Sequence, residues 1–427
     1  MLYELIRPIS NITFRTLLRK INIVDADRFP REEPVILSSN HPTAFLEPCI
    51  LACFLERPLY FMVRGDFFKN RFYRNLMFGV HLIPIHRIEG GVANIKKNHE
   101  IFQYCFDALD SNQTILIMAE GKTRQHKRLG PLKKGTARLA LGFVDEKNRE
   151  DGLITPVGVN FSRADHWRTD VQVRVGEPFA MKDFMERYKE HPQKGYDALN
   201  RQIEISLRKV MFFVEDPADD EDAEFMLSTN RIPYLRNWFP HSISDSTWFE
   251  ETQALAEGFQ GHPLRQAIGE EIAELKSQLK SYKVDWRHVD LFQDNTTKSL
   301  MTLIFGFPLF LLGFLTNAIS FWLSQMIVKA KVRQLEFINP VRAGLILFFN
   351  LFLWPTLVFL ALYLRSFPLL LLFLFKPFWG LLAAKYYDTW KTYLHTQRFL
   401  KIGRTQVKDF RKRWNQLKNN LISQGKA

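Results

Sequence analysis

The chain is predicted to fold as an α/β protein, with a central and mostly buried sheet flanked by helices, followed by a helical region and C-terminal membrane helices. Three observations carry this expectation. From about Val35 to Pro178, short runs rich in β-branched and aromatic residues alternate with helix-periodic stretches. Past Val214 the strand-like runs stop and helical periodicity takes over. From Ser299 to Val328, and again from Ala343 to Leu364, no charged residue occurs.

The start, MLYELIRPISNITFRTLLRKINIV, sets apolar residues at helical spacing between arginines, which predicts an amphipathic helix over residues 1–30. It lacks the continuous apolar stretch and small-residue cleavage site of a signal peptide, so this part of the chain is expected on the cytosolic side. A domain over residues 31–214 follows. Its predicted strands are VILSSN, PLYFMVR, LIPIHR, TILIMAE, LITPVGVNF and VQVRVGEPF, bounded by Gly, Pro, Asn or Asp. Residues 66–78, 91–110 and 133–146 carry helical periodicity between them. The acidic run Glu215–Glu224 opens a soluble helical region over residues 215–297. There Ile268, Ile272, Leu275, Leu279 and Tyr282 recur at steps of three and four, the stripe of a packed helix.

Residues 298–385 are expected to embed in a membrane. About 20 apolar residues, at about 1.5 Å each, cross a hydrocarbon core of about 30 Å. Both charge-free stretches are long enough. A third apolar stretch, Phe367–Ala384, is broken by Lys376 and Pro377 and reads as a short span, a re-entrant segment or an interfacial helix. The loop between the first two stretches carries Lys329, Lys331, Arg333 and Arg342, and the positive-inside tendency disfavours exporting it. A hairpin that enters and leaves on one face removes that conflict. The basic helical tail, residues 386–427, carries Lys408, Arg411, Lys412 and Arg413 with Tyr386, Tyr387, Trp390 and Trp414 interleaved, and fits contact with anionic lipid.

The formal charge of +13 favours anionic partners: nucleic acid, a membrane surface or phosphorylated substrates. No nucleic-acid-binding module is visible in the pattern, and the apolar stretches favour membrane lipids instead. Cys49, Cys53 and Cys105 show no metal-ligand spacing, and their odd number argues against a disulfide framework; they read as reduced structural thiols, with no metal expected. His81, His86 and His99 likewise lack ligand spacing and read as structural or surface residues.

The chemistry concentrates in SSNHPTAFLEP, Ser38–Pro48, at the end of a predicted strand. A histidine followed by a carboxylate on the next helical turns can be held in one tautomer, leaving its other ring nitrogen to take a proton from a substrate hydroxyl. Taken alone, such a pair is as readily a satisfied surface or core contact. Its company is what gives it weight. FGVHLIPIHR puts Arg87 just past an apolar strand, AEGKTR follows TILIM with a carboxylate, a glycine and two cations, LITPVGVNF holds Pro156, and VRVGEPF closes the series.

In the order of these blocks the chain resembles the glycerophosphate (1-acylglycerol-3-phosphate / glycerol-3-phosphate) acyltransferase family over about residues 35–180. That family's signatures are Asn-His-x4-Asp, a Gly…Phe-Ile-x-Arg strand, Phe-Pro-Glu-Gly-Thr-Arg and a Val-Pro-Val strand. The extra residue between His and acid, the Val-Gly-x-Asn-Phe strand and the C-terminal membrane segments are more similar to the yeast-type glycerol-3-phosphate/dihydroxyacetone-phosphate acyltransferases. The resemblance implies His41 as general base and Glu47 as its orienting carboxylate, the catalytic pair. It further implies a substrate site of Asn40, Arg87, Glu120 and Gly121, with Arg87 on the acceptor phosphate and Pro156 structural. Three departures stand out: the acid is Glu and lies one position further on, Ala119 replaces Pro, and Lys122 intervenes before Thr123. Lys122 and Arg124 are accordingly both taken as phosphate or coenzyme-A contacts, with Lys133 and Lys134 behind them.

The implied reaction is acyl transfer from acyl-CoA or acyl-ACP to a hydroxyl of glycerol 3-phosphate or 1-acylglycerol 3-phosphate in phospholipid synthesis, without cofactor or metal. The partners it implies are membrane lipids, the acyl thioester donor, a phosphorylated glycerol acceptor and, for one donor class, acyl carrier protein. The catalytic domain of an integral membrane protein would face the cytosol. Two alternatives stay open: an O-acyltransferase for another lysolipid or an amino-acid lipid, and a non-catalytic lipid-binding membrane protein of the same fold.

Overall fold

The structure, a computed structural model, describes residues 2–68, 70–85, 92–125, 127–229, 246–284 and 296–426. The chain divides into two compact units. One comprises Met1–Asn11, Asn22–Asn160 and Gln172–Met211; the other comprises Ile12–Ile21, Phe161–Val171 and Phe212–Ala427.

In chain order the elements are α1 (Leu2–Leu17), β1 (Lys20–Val24), β2 (Val35–Ser39), α2 (Leu46–Phe54), β3 (Leu59–Arg64), α3 (Arg71–Gly79), β4 (Leu82–Ile85), α4 (Val92–Asp110), β5 (Thr114–Met118), α5 (Gly135–Lys147), β6 (Leu153–Phe161), β7 (Asp170–Val175), β8 (Phe179–Ala180), α6 (Met185–Glu190) and α7 (Pro192–Val210). Among the described residues the strands form one 8-stranded sheet in the order β1-β7-β6-β2-β5-β3-β4, with β8 paired to β6. Each predicted strand is present. The inner strands β2, β5 and β6 run parallel, with Ser39 level with Met118 on one side and Val157 on the other. Every residue of β2 is buried, as expected for a parallel strand covered on both faces. Ile36, Ile115 and Ile154 on the sheet meet Leu139, Ala140 and Phe143 of α5 and Leu199, Ile203 and Leu207 of α7.

The N-terminal expectation needs correction. The amphipathic helix ends at Leu17, and Lys20–Val24 is a sheet strand. Ile21, Asn22, Ile23 and Val24 are all buried there, so residues that prolong a helical apolar pattern on paper lie in an extended strand instead.

The second unit continues with α8 (Asp220–Thr229), α9 (Thr247–Gln260), α10 (Arg265–Ser281), α11 (Thr296–Lys331), α12 (Leu335–Tyr363), α13 (Phe367–Leu374), α14 (Lys376–Leu400) and α15 (Arg404–Gly425). Ile268, Ile272, Leu275 and Leu279 of α10 are buried with Phe225, Leu255, Phe259 and, from the basic tail, Val407, Phe410, Trp414, Leu417 and Leu421. The tail is thus part of a helical core: its apolar face packs inside, and Arg413 pairs with Glu274 at 3.2 Å.

α11 and α12 are long and apolar enough to cross a membrane, while α13 and α14 form a pair bent by 61°. At that bend Lys376 is buried, and its ammonium donates to Asn317 at 3.2 Å and to Asn350; Asn350 also accepts from Ser320 at 2.8 Å. The Trp354 indole takes the Phe373 carbonyl freed by the break, at 2.8 Å. Backbone groups released where a helix breaks in an apolar setting need such partners.

Candidate active site

His41 follows the carboxyl end of β2, and Glu120 follows the carboxyl end of β5, the neighbouring parallel strand. The level pairing of Ser39 with Met118 therefore brings both to one edge of the sheet, where open α/β sheets bind ligands. Hydrogen bonds to the backbone then fasten the two loops. The Glu120 carboxylate accepts from the His41 N–H at 3.3 Å and from the Gly130 N–H at 2.8 Å. The Arg124 N–H returns to the His41 carbonyl at 3.0 Å, and the Ala119 N–H reaches the Ser39 carbonyl at 3.0 Å.

On its other side the strand end is held by Asn40. Its amide donates to the Val159 carbonyl at 3.1 Å and accepts from the Val159 N–H at 2.8 Å, so one side chain extends the β2–β6 pairing past the last strand residue. Asn40 is buried, and both of its polar groups are engaged by backbone.

The His41 ring is mostly buried, and Nδ1 lies 3.8 Å from the Glu47 carboxylate, beyond hydrogen-bonding distance; Nδ1 has no hydrogen-bond partner among the described residues. Glu47 is completely buried. Its oxygens hold the Thr43 hydroxyl at 2.8 Å and the Thr43 N–H, while the Thr43 hydroxyl accepts from the Leu46 N–H at 3.2 Å. Thr43 thus links the first N–H of α2 to the Glu47 carboxylate. The carboxylate that faces the imidazole also holds the turn that leads into the helix.

Burial raises the Glu120 pKa above its usual 4.5, against the lowering pull of the Gly130 and His41 N–H groups. Gly121 has φ +62, the left-handed region that a turn directly after β5 demands. Gly130, which the sequence did not single out, is crowded: a Cβ there would lie 2.6 Å from Glu120 Oε2 and 2.9 Å from Arg124 Nη1, so one of these side-chain ends would have to shift. The signal for it is local, a Gly-Pro step at residues 130–131 that marks a turn.

Lys122 and Arg124 are exposed on this loop, and Arg124 shares the field of Glu120. Lys133 folds its stem over Gly121, and Lys134 pairs with Asp197 at 3.1 Å. Arg87 and His86 lie outside the described residues; β4 ends at Ile85, on the same edge of the parallel β3–β4 pair. His81 is stacked between Tyr3 and Tyr60, with ring centroids 4.5 and 4.4 Å apart. Burial pushes the thiols of Cys53 and Cys105 up to about 12, which keeps them protonated and inert.

The crystal structure of the 1-acyl-sn-glycerophosphate (LPA) acyltransferase PlsC from Thermotoga maritima aligns with 48% of this chain and 78% of that one, at 13% identity and a TM-score of 0.36. Glycerol-3-phosphate O-acyltransferase 2 of Saccharomyces cerevisiae is 29% identical over 138 residues, 32% of this chain and 18% of that protein. Glycerol-3-phosphate O-acyltransferase 1 of the same yeast is 24% identical over 192 residues, 45% of this chain and 24% of that protein. The chain spans about a quarter or less of the length of these yeast relatives. A family model described as Acyltransferase matches residues 20–160, the stretch that holds β1 to β6, His41, Glu47 and the Glu120–Gly130 loop. Residues 20–160 are therefore a domain of the Acyltransferase family.

Proposed function

We propose that the chain is a membrane-attached O-acyltransferase that moves a fatty acyl group from a thioester to a hydroxyl of glycerol 3-phosphate or 1-acylglycerol 3-phosphate. One observation carries this reading: an imidazole at the carboxyl edge of the sheet, its backbone clamped by Glu120 and Arg124, with Nδ1 turned toward the buried Glu47 carboxylate.

In the proposed mechanism the acceptor hydroxyl gives its proton to His41 Nε2 as its oxygen bonds to the thioester carbonyl carbon. Glu47 stabilises the imidazolium, and shortening of the 3.8 Å gap as charge develops strengthens that contact. The tetrahedral adduct collapses, the carbon–sulfur bond breaks, and the departing sulfur takes the proton back from His41. The Gly121 N–H is spent on the Met118 carbonyl at 3.0 Å, so oxyanion stabilisation is assigned to the donors that follow it in the turn. Arg87 holds the acceptor phosphate, because its planar fork matches two phosphate oxygens. Asn40 and Glu120 act as positioning residues. The steps use no metal and no cofactor.

The donor is a coenzyme-A or acyl-carrier-protein thioester, delivered to a site on the cytosolic face. The helices α11 and α12 keep the long-chain product at the bilayer. A second reading, lipid binding without catalysis, draws on the engagement of both Glu47 oxygens with Thr43. Purified full-length protein, given labelled acyl-CoA or acyl-ACP and a panel of glycerol phosphates, lysolipids and amino-acid lipids, separates the readings. Acyl transfer to a phosphorylated glycerol is expected. Transfer only to another lysolipid would replace the acceptor, and no transfer with retained lipid binding would favour the second reading.

A further inference from the structure

The β6–β7 connection forms a hairpin: the Ser162 N–H binds the Asp170 carbonyl at 3.0 Å, and the tip between them carries Arg163, Asp165, His166 and Arg168. This polar tip is fastened to the apolar helices at widely separated points along them. Near the start of α12, the fully buried Asn339 donates to the Ala164 carbonyl at 2.8 Å and to the His166 carbonyl at 2.5 Å. On α11, Phe321 lies against Trp167 with ring centroids 4.9 Å apart, and the same indole lies 4.6 Å from the Tyr387 ring of α14. One residue on, Asp388 receives the Arg168 guanidinium at 3.0 Å; both side chains are buried, and Arg168 also holds the Leu18 carbonyl at 2.6 Å.

The hairpin therefore lies beside the charge-free stretch of α11, residues 299–328: Phe321 belongs to that stretch, and so does Phe310, on which Tyr386 of α14 stacks at 4.5 Å. If α11 crossed a bilayer, that stretch would fill the hydrocarbon core and carry the hairpin to the same depth. A buried Arg–Asp pair and a charged hairpin beside the middle of the helices would be costly there.

We propose that α11–α14 lie as a layer within one leaflet, entering and leaving the bilayer on the face that carries the β6–β7 hairpin. The outer face supplies the lipid contact: Phe305, Leu315, Ile319, Trp322, Phe352 and Phe359 are all exposed. The basic connection at residues 332–334, with Lys329, Lys331 and Arg333, then stays with the soluble parts of the chain, and α13, only eight residues long, has no span to complete. This inference rests on the membrane attachment proposed above, which resistance of the protein to carbonate extraction tests separately.

The decisive experiment labels full-length protein in sealed vesicles with a membrane-impermeant maleimide, before and after permeabilisation. Arg333→Cys is compared with Gln424→Cys on α15, with the labelling of the parent protein subtracted. Equal fractions labelled before permeabilisation are expected. If Arg333→Cys and Gln424→Cys are labelled from opposite sides, α11 crosses and the proposal fails. An Asn-x-Ser acceptor inserted between Val332 and Gln334 gives a second reading in microsomes. It is expected to stay unglycosylated, and a glycan there would overturn the one-leaflet layer even if attachment to the membrane holds.

Discussion

Glu120 holds His41 by its backbone: the carboxylate accepts the His41 N–H at 3.3 Å and, through its other oxygen, the Gly130 N–H at 2.8 Å. Two hydrogen bonds from one side chain thus fix where the His41 loop sits. Glu120→Gln is therefore expected to slow turnover through a misplaced His41, and Gly130→Ala to do the same by pushing on Glu120 Oε2. The pH dependence has a definite sign. A carboxyl whose folded pKa is raised stabilises the fold fully below its unfolded value, and loses that contribution as pH rises through the folded value. The Tm advantage of wild type over Glu120→Gln should thus be largest near pH 4 and shrink toward neutrality. A difference that grows with pH would mean that Glu120 is stabilised as the carboxylate.

Asn40→Ala removes both partners of the Val159 backbone at once. Leaving a buried N–H and a buried carbonyl unpaired costs about 1–3 kcal/mol each, so thermal unfolding should shift down by several degrees and kcat should fall. The Michaelis constants should change little, because the Asn40 amide faces β6 and not a substrate. A large rise in the acceptor KM with unchanged Tm would make Asn40 a substrate contact.

Glu47→Gln keeps an oxygen for Thr43 but removes the charge that faces His41 Nδ1. Turnover is expected to drop by about 10²–10⁴-fold, the range of general-base assistance, with the thermal midpoint within a few degrees of wild type. If Glu47 serves only to hold Thr43, Thr43→Ala and Glu47→Gln will lower stability alike and leave activity per folded molecule unchanged.

The legibility of this chain follows its physics. The inner strands were readable because a parallel strand buried on both faces leaves an unbroken apolar run such as VILSS. The pairing of His41 with Glu120 was not, since it depends on two strands distant in sequence lying level in the sheet. Asn40 reads as a motif residue, yet its partner Val159 becomes visible only once β2 and β6 are neighbours. β1 was missed because Ile21 and Ile23 prolong the helical pattern of α1. The tail's charges suggested lipid because they are plain in sequence, whereas the face of Phe410, Trp414 and Leu421 needs its partners Phe225 and Leu255 to read as core.

Arg87→Ala is expected to raise the KM for a phosphorylated acceptor tens-fold or more while leaving the donor KM nearly unchanged, since a charge-assisted contact contributes about 1.5–3 kcal/mol. Initial-rate kinetics with each substrate varied in turn decide this. Equal rises in both constants would assign Arg87 to the coenzyme or to the fold.

The most direct measurement is single-turnover acyl transfer by His41→Ala, using labelled acyl-CoA and glycerol 3-phosphate, with binding of both substrates measured on the same preparation. The account predicts that the variant folds, stays with the membrane fraction and binds both substrates, but transfers acyl groups at least about 10²-fold more slowly. Near-normal transfer by His41→Ala would contradict it, because no proton acceptor would then be needed at the carboxyl end of β2.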